Sequence, residues 1–227
     1  MNLPKLAFLV GAACLNIANA QVTSDTLWFL PGVPITRYAA TVVVPAVSPG
    51  PGYHAVWPGL ENNNAGFVYQ SVISDSKGVG SWQFWVEYCC NPDYKANSIK
   101  VYPGDTITSV FTVDGGGIWT DAWSLVPGAT GLAAGQKAQS GSTSNNFDSQ
   151  GALTQAVLAI ELQKGGKWDF GPIQWSNIAI TASTTTSWCA DSYAVMPEFQ
   201  YSISGGTSST SGGSTTCSYP SVLFKSP

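Results

Sequence analysis

Between Ser81 and Tyr88 the chain reads Ser-Trp-Gln-Phe-Trp-Val-Glu-Tyr, changing character at every step. As a strand this places Trp82, Phe84, Val86 and Tyr88 on one face and Gln83, Trp85 and Glu87 on the other. A strand with one wholly apolar face and one face carrying an indole and a carboxylate has a core on one side and a groove on the other. The segment 154–162 repeats the pattern. Ala156, Leu158, Ile160 and Leu162 share one face, and Gln155, Val157, Ala159 and Glu161 share the other. No long segment carries the 3.6-residue apolar repeat of a helix, while 24 glycines and 14 prolines punctuate strand-forming runs. The expectation is an all-β chain folded as a β-sandwich.

The first twenty residues read as a secretion signal and stand apart from the fold. Lys5 supplies the positive start, Leu6 to Leu15 the apolar centre, and Ala18-Asn19-Ala20 a small-residue cleavage site. The expected product begins at Gln21 and is secreted and extracellular. Residues 21–204 are expected to form the sandwich. Residues 205–227 are expected to be a Gly/Ser/Thr-rich linker with a C-terminal segment tied back by Cys217. Beyond the signal no apolar run approaches the length of a membrane span, so no membrane partner is expected.

Charged residues make up 10% of the sequence and the formal net charge is −4, which argues against a nucleic-acid partner. Of the five cysteines, Cys14 leaves with the signal. Cys89, Cys90, Cys189 and Cys217 remain, an even number suited to disulfides in an oxidising compartment. Adjacent strand residues face opposite ways, so Cys89 and Cys90 are expected to bridge to Cys189 and Cys217 in one order or the other. The spacing gives no metal-binding pattern, and neither a metal nor another cofactor is expected.

His54 is the sole histidine, beside Tyr53 in a strand-like run, and there is no G-x-S-x-G elbow for a serine nucleophile. It reads as a surface or groove residue. Carboxylate and amide chemistry remains. One glutamate can act as general base on water while a neutral amide steadies the oxyanion, or two carboxylates can flank a glycosidic bond. The parts are Glu61, Glu87, Glu161 and Gln70, since Glu198 lies outside any alternating strand. A groove walled by Trp57, Trp85 and Trp119 would suit sugar rings equally well, which makes glycan binding or hydrolysis the alternative.

The order Trp57-x-Gly59-Leu60-Glu61, Gln70, Trp85-Val86-Glu87-Tyr88, Pro92-Asp93, Ile99 and Gly104-Asp105-Thr106-Ile107 resembles the fungal glutamic peptidases, the eqolisins. The resemblance is strongest over residues 53–113. It implies a two-sheet antiparallel sandwich of the concanavalin A-like type and a secreted acid endopeptidase using a Glu/Gln pair. It matches Gln70 to the catalytic glutamine and Trp57, Glu61, Trp85 and Glu87 to residues around the active site. The implied partner is a protein or peptide substrate, or an extracellular polysaccharide on the alternative reading, and the chain is expected to be monomeric.

The family's catalytic glutamate lies in an A-E-W-I-V-E strand. Against Ala156-Val157-Leu158-Ala159-Ile160-Glu161 an ungapped match puts Val157 at that position and Glu161 at the second glutamate. A four-residue shift makes Glu161 catalytic, as the general base, but moves the carboxylate about 13 Å along the strand. A third reading follows from the ungapped match: a secreted homologue without catalysis.

Overall fold

The computed structural model describes residues 22–64, 66–190 and 192–227. The secretion signal expected over residues 1–20 lies outside these residues. The strands in chain order are β1 (Thr23–Phe29), β2 (Ile35–Val43), β3 (Tyr53–Asn62), β4 (Val68–Ser74) and β5 (Gln83–Cys89). After the two-residue strands β6 (Tyr94–Lys95) and β7 (Ile99–Lys100) come β8 (Thr106–Val113) and β9 (Ile118–Val126). A short helix, α1 (Ala129–Ala133), precedes β10 (Gln139–Asn146), β11 (Leu153–Gln163) and β12 (Ile173–Ala182). The chain closes with β13 (Tyr193–Met196), β14 (Tyr201–Ile203), β15 (Thr207–Ser211) and β16 (Ser214–Phe224).

Two antiparallel sheets result. One runs β13-β1-β11-β3-β4-β5-β6, with β7 also on β5; the other runs β10-β9-β8-β2-β12-β16-β14, with β15 on β16. The alternation read in β5 and β11 decides what lies between them. Phe84, Val86, Tyr88, Ala156, Leu158 and Ile160 join the inter-sheet core with Phe111, Trp119, Trp175 and Phe224. The opposite faces supply a second, outward cluster containing Trp28, Trp57, Val72, Trp85, Val157 and Ala159. This outward face is where the groove was expected.

Tyr69 ties the sheets together. Its hydroxyl donates to the Thr143 carbonyl (2.6 Å) and accepts from the Asp121 amide (2.8 Å). Beneath it Ser71 donates to Asp121 Oδ2 at 2.5 Å in the fully buried core.

One expectation fails here for a local reason. The linker expected over the Gly/Ser/Thr run is instead β15 and the start of β16, a hairpin whose turn glycines have φ of 57° (Gly212) and 81° (Gly213). Two consecutive positive φ values suit a tight hairpin turn and favour glycine. Pro103-Gly104-Asp105 leads from β7 to β8. β7 belongs to one sheet and β8 to the other, so the turn carries the chain across the sandwich. Buried Asp105 holds that turn by accepting from the amides of Tyr102 (2.9 Å) and Gly128 (2.8 Å). The segment 128–150, rich in small and polar residues, contains the eight-residue β10 at a sheet edge.

The cysteine pairing is also corrected. Cys189 bonds to Cys217, with Cα atoms 5.3 Å apart, so neither reaches the Cys89–Cys90 pair. β5 ends at Cys89, the following peptide bond is cis, and the two adjacent sulfurs lie 2.7 Å apart. Strand alternation therefore does not extend to Cys90. The Cys189–Cys217 bond closes a loop of 28 residues. Loop-closure entropy at that length amounts to roughly 3–4 kcal/mol. Replacing both cysteines by serine is expected to lower the melting temperature by about 10 °C, read by calorimetry.

Candidate functional site

The outward face of the first sheet is organised in cross-strand rows. One row runs Val157–Gly59–Gln70–Glu87–Lys95 across β11, β3, β4, β5 and β6. A second, two rows along, runs Glu161–Ala55–Ser74–Gln83. Between them lie Trp57, opposite Ala159, and Trp85, opposite Val72. The small side chains of Ala55 and Ser74 leave a depression that the two indoles wall. Gln70, Glu87, Glu161, Gln163, Trp57 and Trp85 all line it, and it holds about 20 Å³ of room for water. That is space for a single water molecule.

Gly59 sits at the centre of the first row for want of space. A Cβ there would lie 2.9 Å from the Tyr69 carbonyl oxygen and 3.1 Å from Gln70 Cβ. The absence of a side chain is what lets β3 pass beside Gln70 without pushing it aside. Gln70 is 1% exposed, and its Oε1 has no protein partner. Gln163 Oε1 is likewise buried and unpartnered, while the Trp57 indole faces Glu161. Orphaned polar atoms around one water-sized space mark a site built to bind something polar. Either end of the Gln70 amide can be turned to face it.

The carboxyls differ in their surroundings. Burial raises Glu161 to about 7; the Gln163 amide, which donates to Glu161 Oε1, favours ionisation, while the Glu87 charge opposes it. Burial also raises Glu87, against the pull of the Trp85 indole and Lys95. Trp85 Nε1 donates to Glu87 Oε2 at 2.5 Å, and Lys95 Nζ lies 3.8 Å from the same oxygen. Glu61 is raised to about 7 by burial and accepts a 3.0 Å bond from Trp28 Nε1. It pairs with Gln155 and Val68 across the strands, beside the Gln70 row but outside the depression.

The structure thus gathers Gln70, Glu161, Trp57, Trp85 and Glu87 and leaves Glu61 at the margin. It corrects two expectations. Trp119 faces the inter-sheet core, so it does not wall this groove. His54 is neither on the surface nor in the groove. Its ring is buried, Nδ1 lies 2.8 Å from Asp75 Oδ2, and its backbone amide donates to Asp75 Oδ1 at 2.7 Å. The stacking platform expected for sugars is also closed. Trp57 and Trp85 are 5% and 2% exposed, and Lys95 Nζ covers the Trp85 ring at 3.7 Å.

Sequence reading missed Gln163, Lys95 and Trp28. Gln163 was within reach, because it follows Glu161 by two residues on the same strand face. Lys95 lies in a two-residue strand with no periodic signal, and Trp28 reaches Glu61 only through the pairing of β1 with β11. Among the described residues no cluster of three or more histidine, cysteine or acidic side chains is arranged to hold a metal ion.

No protein-family model matches the chain, and no curated protein matches it. Solved structures do. Scytalidoglutamic peptidase with a transition state analog inhibitor superposes with a TM-score of 0.57 at 18% identity, covering 88% of this chain and 100% of that one. The same peptidase with a peptide-based transition state analog gives 0.55, again at 18% identity with 88% and 100% covered. SCP-B, a member of the eqolisin family of peptidases in complex with the tripeptide Ala-Ile-His, gives 0.55 with the same identity and coverage. The sandwich is therefore an eqolisin-like fold, as the residues 53–113 suggested.

Proposed function

We propose that the cleft binds an extended polypeptide and hydrolyses a peptide bond in it, with Gln70 steadying the oxyanion and Glu161 exchanging the proton. The observation that carries this reading is the convergence of Gln70, Glu87 and Glu161 on one water-sized depression with orphaned polar atoms around it. Peptide ligands in the structures that share the fold support it. The Gln70 amide is neutral at every relevant pH and donates to an oxyanion without a proton being lost. Glu161, raised to about 7, exchanges a proton in mildly acidic to neutral solution, not only at strongly acid pH. Secretion, carried by residues 1–20, belongs to the same proposal.

Kinetics on a synthetic peptide test the pair. Gln70→Ala is expected to lower kcat by about 10²-fold, the usual effect of losing one oxyanion donor. Unchanged turnover in both Gln70→Ala and Glu161→Gln would remove the reading.

One observation favours a second reading. Val157, fully buried, occupies the β11 end of the Gln70 row, where the ungapped match expects the catalytic glutamate. On that reading the cleft holds peptides without cutting them. Binding of a peptide-based transition state analogue with no cleavage of any peptide would favour it.

A further inference from the structure

We propose that Glu87 is the carboxylate that activates water beside Gln70, and that Glu161 is the acid that protonates the departing amine. This assignment rests on the peptide-hydrolase reading above and changes the role expected of Glu161 from base to acid.

The cross-strand geometry carries it. On one side of Gln70 the row continues through Gly59 to Val157, which has no group to take a proton. On the other side Glu87 is directly opposite. Directly paired residues hold their Cβ atoms about 4.5–5.5 Å apart, so this carboxylate and this amide can address one water and one carbonyl. Glu161 stands two rows along the sheet and at the far wall of the depression. It is placed to meet the other end of a scissile bond, not the same water.

The surroundings of the two carboxyls favour the same division. All the hydrogen-bonding and ionic contacts of Glu87 fall on Oε2, from Trp85 Nε1 and Lys95 Nζ, which leaves Oε1 for water. The charges facing Glu87 are Lys95, which favours its ionised form, and Asp93, which opposes it. Lys77 lies over the Trp85 ring at 5.8 Å. Glu161 faces Gln163 and Trp57 and the charge on Glu87, and among the described residues no cation contributes to its surroundings. Glu87 therefore ionises first, and its charge helps Glu161 keep its proton; two carboxyls pushed apart in this way make a base and an acid.

The reaction then balances within the cleft. Glu87 takes a proton from water as the water oxygen forms a bond to the carbonyl carbon, and the oxyanion accepts a hydrogen bond from the Gln70 amide. Collapse of the tetrahedral intermediate breaks the C–N bond while Glu161 passes its proton to the nitrogen. The products are a carboxylic acid and an amine. Glu87, now protonated, and Glu161, now ionised, are reset by proton exchange through solvent.

The test compares the full chain with Glu87→Gln and Glu161→Gln on two substrates. One is an ordinary peptide, the other the matching p-nitroanilide, whose weakly basic leaving group needs little protonation. Melting temperatures at the assay pH serve as fold controls. Glu87→Gln is expected to lose at least about 10²-fold in kcat on both substrates with little change in KM. Glu161→Gln is expected to lose a similar factor on the peptide, recover most of it on the anilide, and lose the high-pH limb of the rate profile. Should Glu87→Gln not fold, Glu87→Asp is expected to keep the low-pH limb with kcat at least about tenfold lower. Wild-type turnover from either Glu87 variant, or equal losses from Glu161→Gln on both substrates, would overturn the assignment and leave the hydrolase reading standing. Absence of cleavage by the wild type would overturn both.

Discussion

The melting temperature of this protein is expected to fall by about 6–12 °C or more between pH 4 and pH 8. Three buried carboxyls set the direction. Glu61 and Glu161 are raised from 4.5 to about 7, and Asp121 from 3.8 to about 7, each chiefly by burial. Below the ordinary carboxylate range these groups are protonated in both folded and unfolded chains, and their contribution is fully present. Between about pH 4 and 7 the unfolded chain ionises while the folded one keeps its protons, so stability declines as pH rises. Above about 7 the folded groups ionise too and the decline ends. The shifts correspond to about 3–4 kcal/mol each. One third of that, summed over the three, is about 3–4 kcal/mol, and a domain of this size moves about 2–4 °C per kcal/mol. Asp121 is the most telling of the three. It is completely buried between the sheets with Ser71 as side-chain donor, and its Oδ1 has no partner. Asp121→Asn is expected to flatten the pH dependence measured by calorimetry, and an unchanged slope would remove Asp121 as a cause.

The second large effect is expected at Asp75. Both of its carboxylate oxygens are committed to His54, one to the ring and one to the backbone amide, and both residues are about 1% exposed. The pair joins β3 to the end of β4, and its neighbours Ala55 and Ser74 line the depression. Asp75→Ala leaves a buried imidazole and a buried N–H without partners. Leaving a buried donor or acceptor unpaired costs about 1–3 kcal/mol for each group. Urea unfolding is expected to show a loss of that order, with the cleft chemistry per folded molecule little altered. A loss below 1 kcal/mol would mean that water replaces Asp75 readily and that the pair is not a clasp.

The parts of the fold legible in the sequence were those where one face of a strand is apolar and the other is not. β5 and β11 announce both their secondary structure and their facing, and the same alternation places Trp85, Glu87 and Glu161 on the groove side. β10, with Gln-Ser-Gly-Ser-Thr-Ser-Asn-Asn, and β15, with Thr-Ser-Ser-Thr-Ser, carry no such contrast. They are strands because backbone groups at a sheet edge pair with a neighbour, a tertiary cause that polar composition conceals. His54 was misread because its burial depends on Asp75, 21 residues away. Trp119 was misassigned because the sheet to which a strand belongs is not written in its own residues. The candidate site was legible as a set of residue types, whereas the spacing between Gln70 and Glu161 depends on the register of β3 between β4 and β11.

That register also frames the central claim. It places Gln70 in a row that ends in a valine on one side and meets a glutamate on the other, so the proposed hydrolysis rests on carboxylates in positions other than that of Val157. The direct test is to incubate the purified full chain with a reduced, denatured protein at pH 3 to 7 and to identify new peptide termini by mass spectrometry. The expected result is cleavage at internal bonds that is fastest toward the upper half of that range and about 10²-fold slower with Glu161→Gln. No new termini at any pH, from a wild-type chain that melts cooperatively, would contradict hydrolysis and leave a peptide-binding cleft in its place.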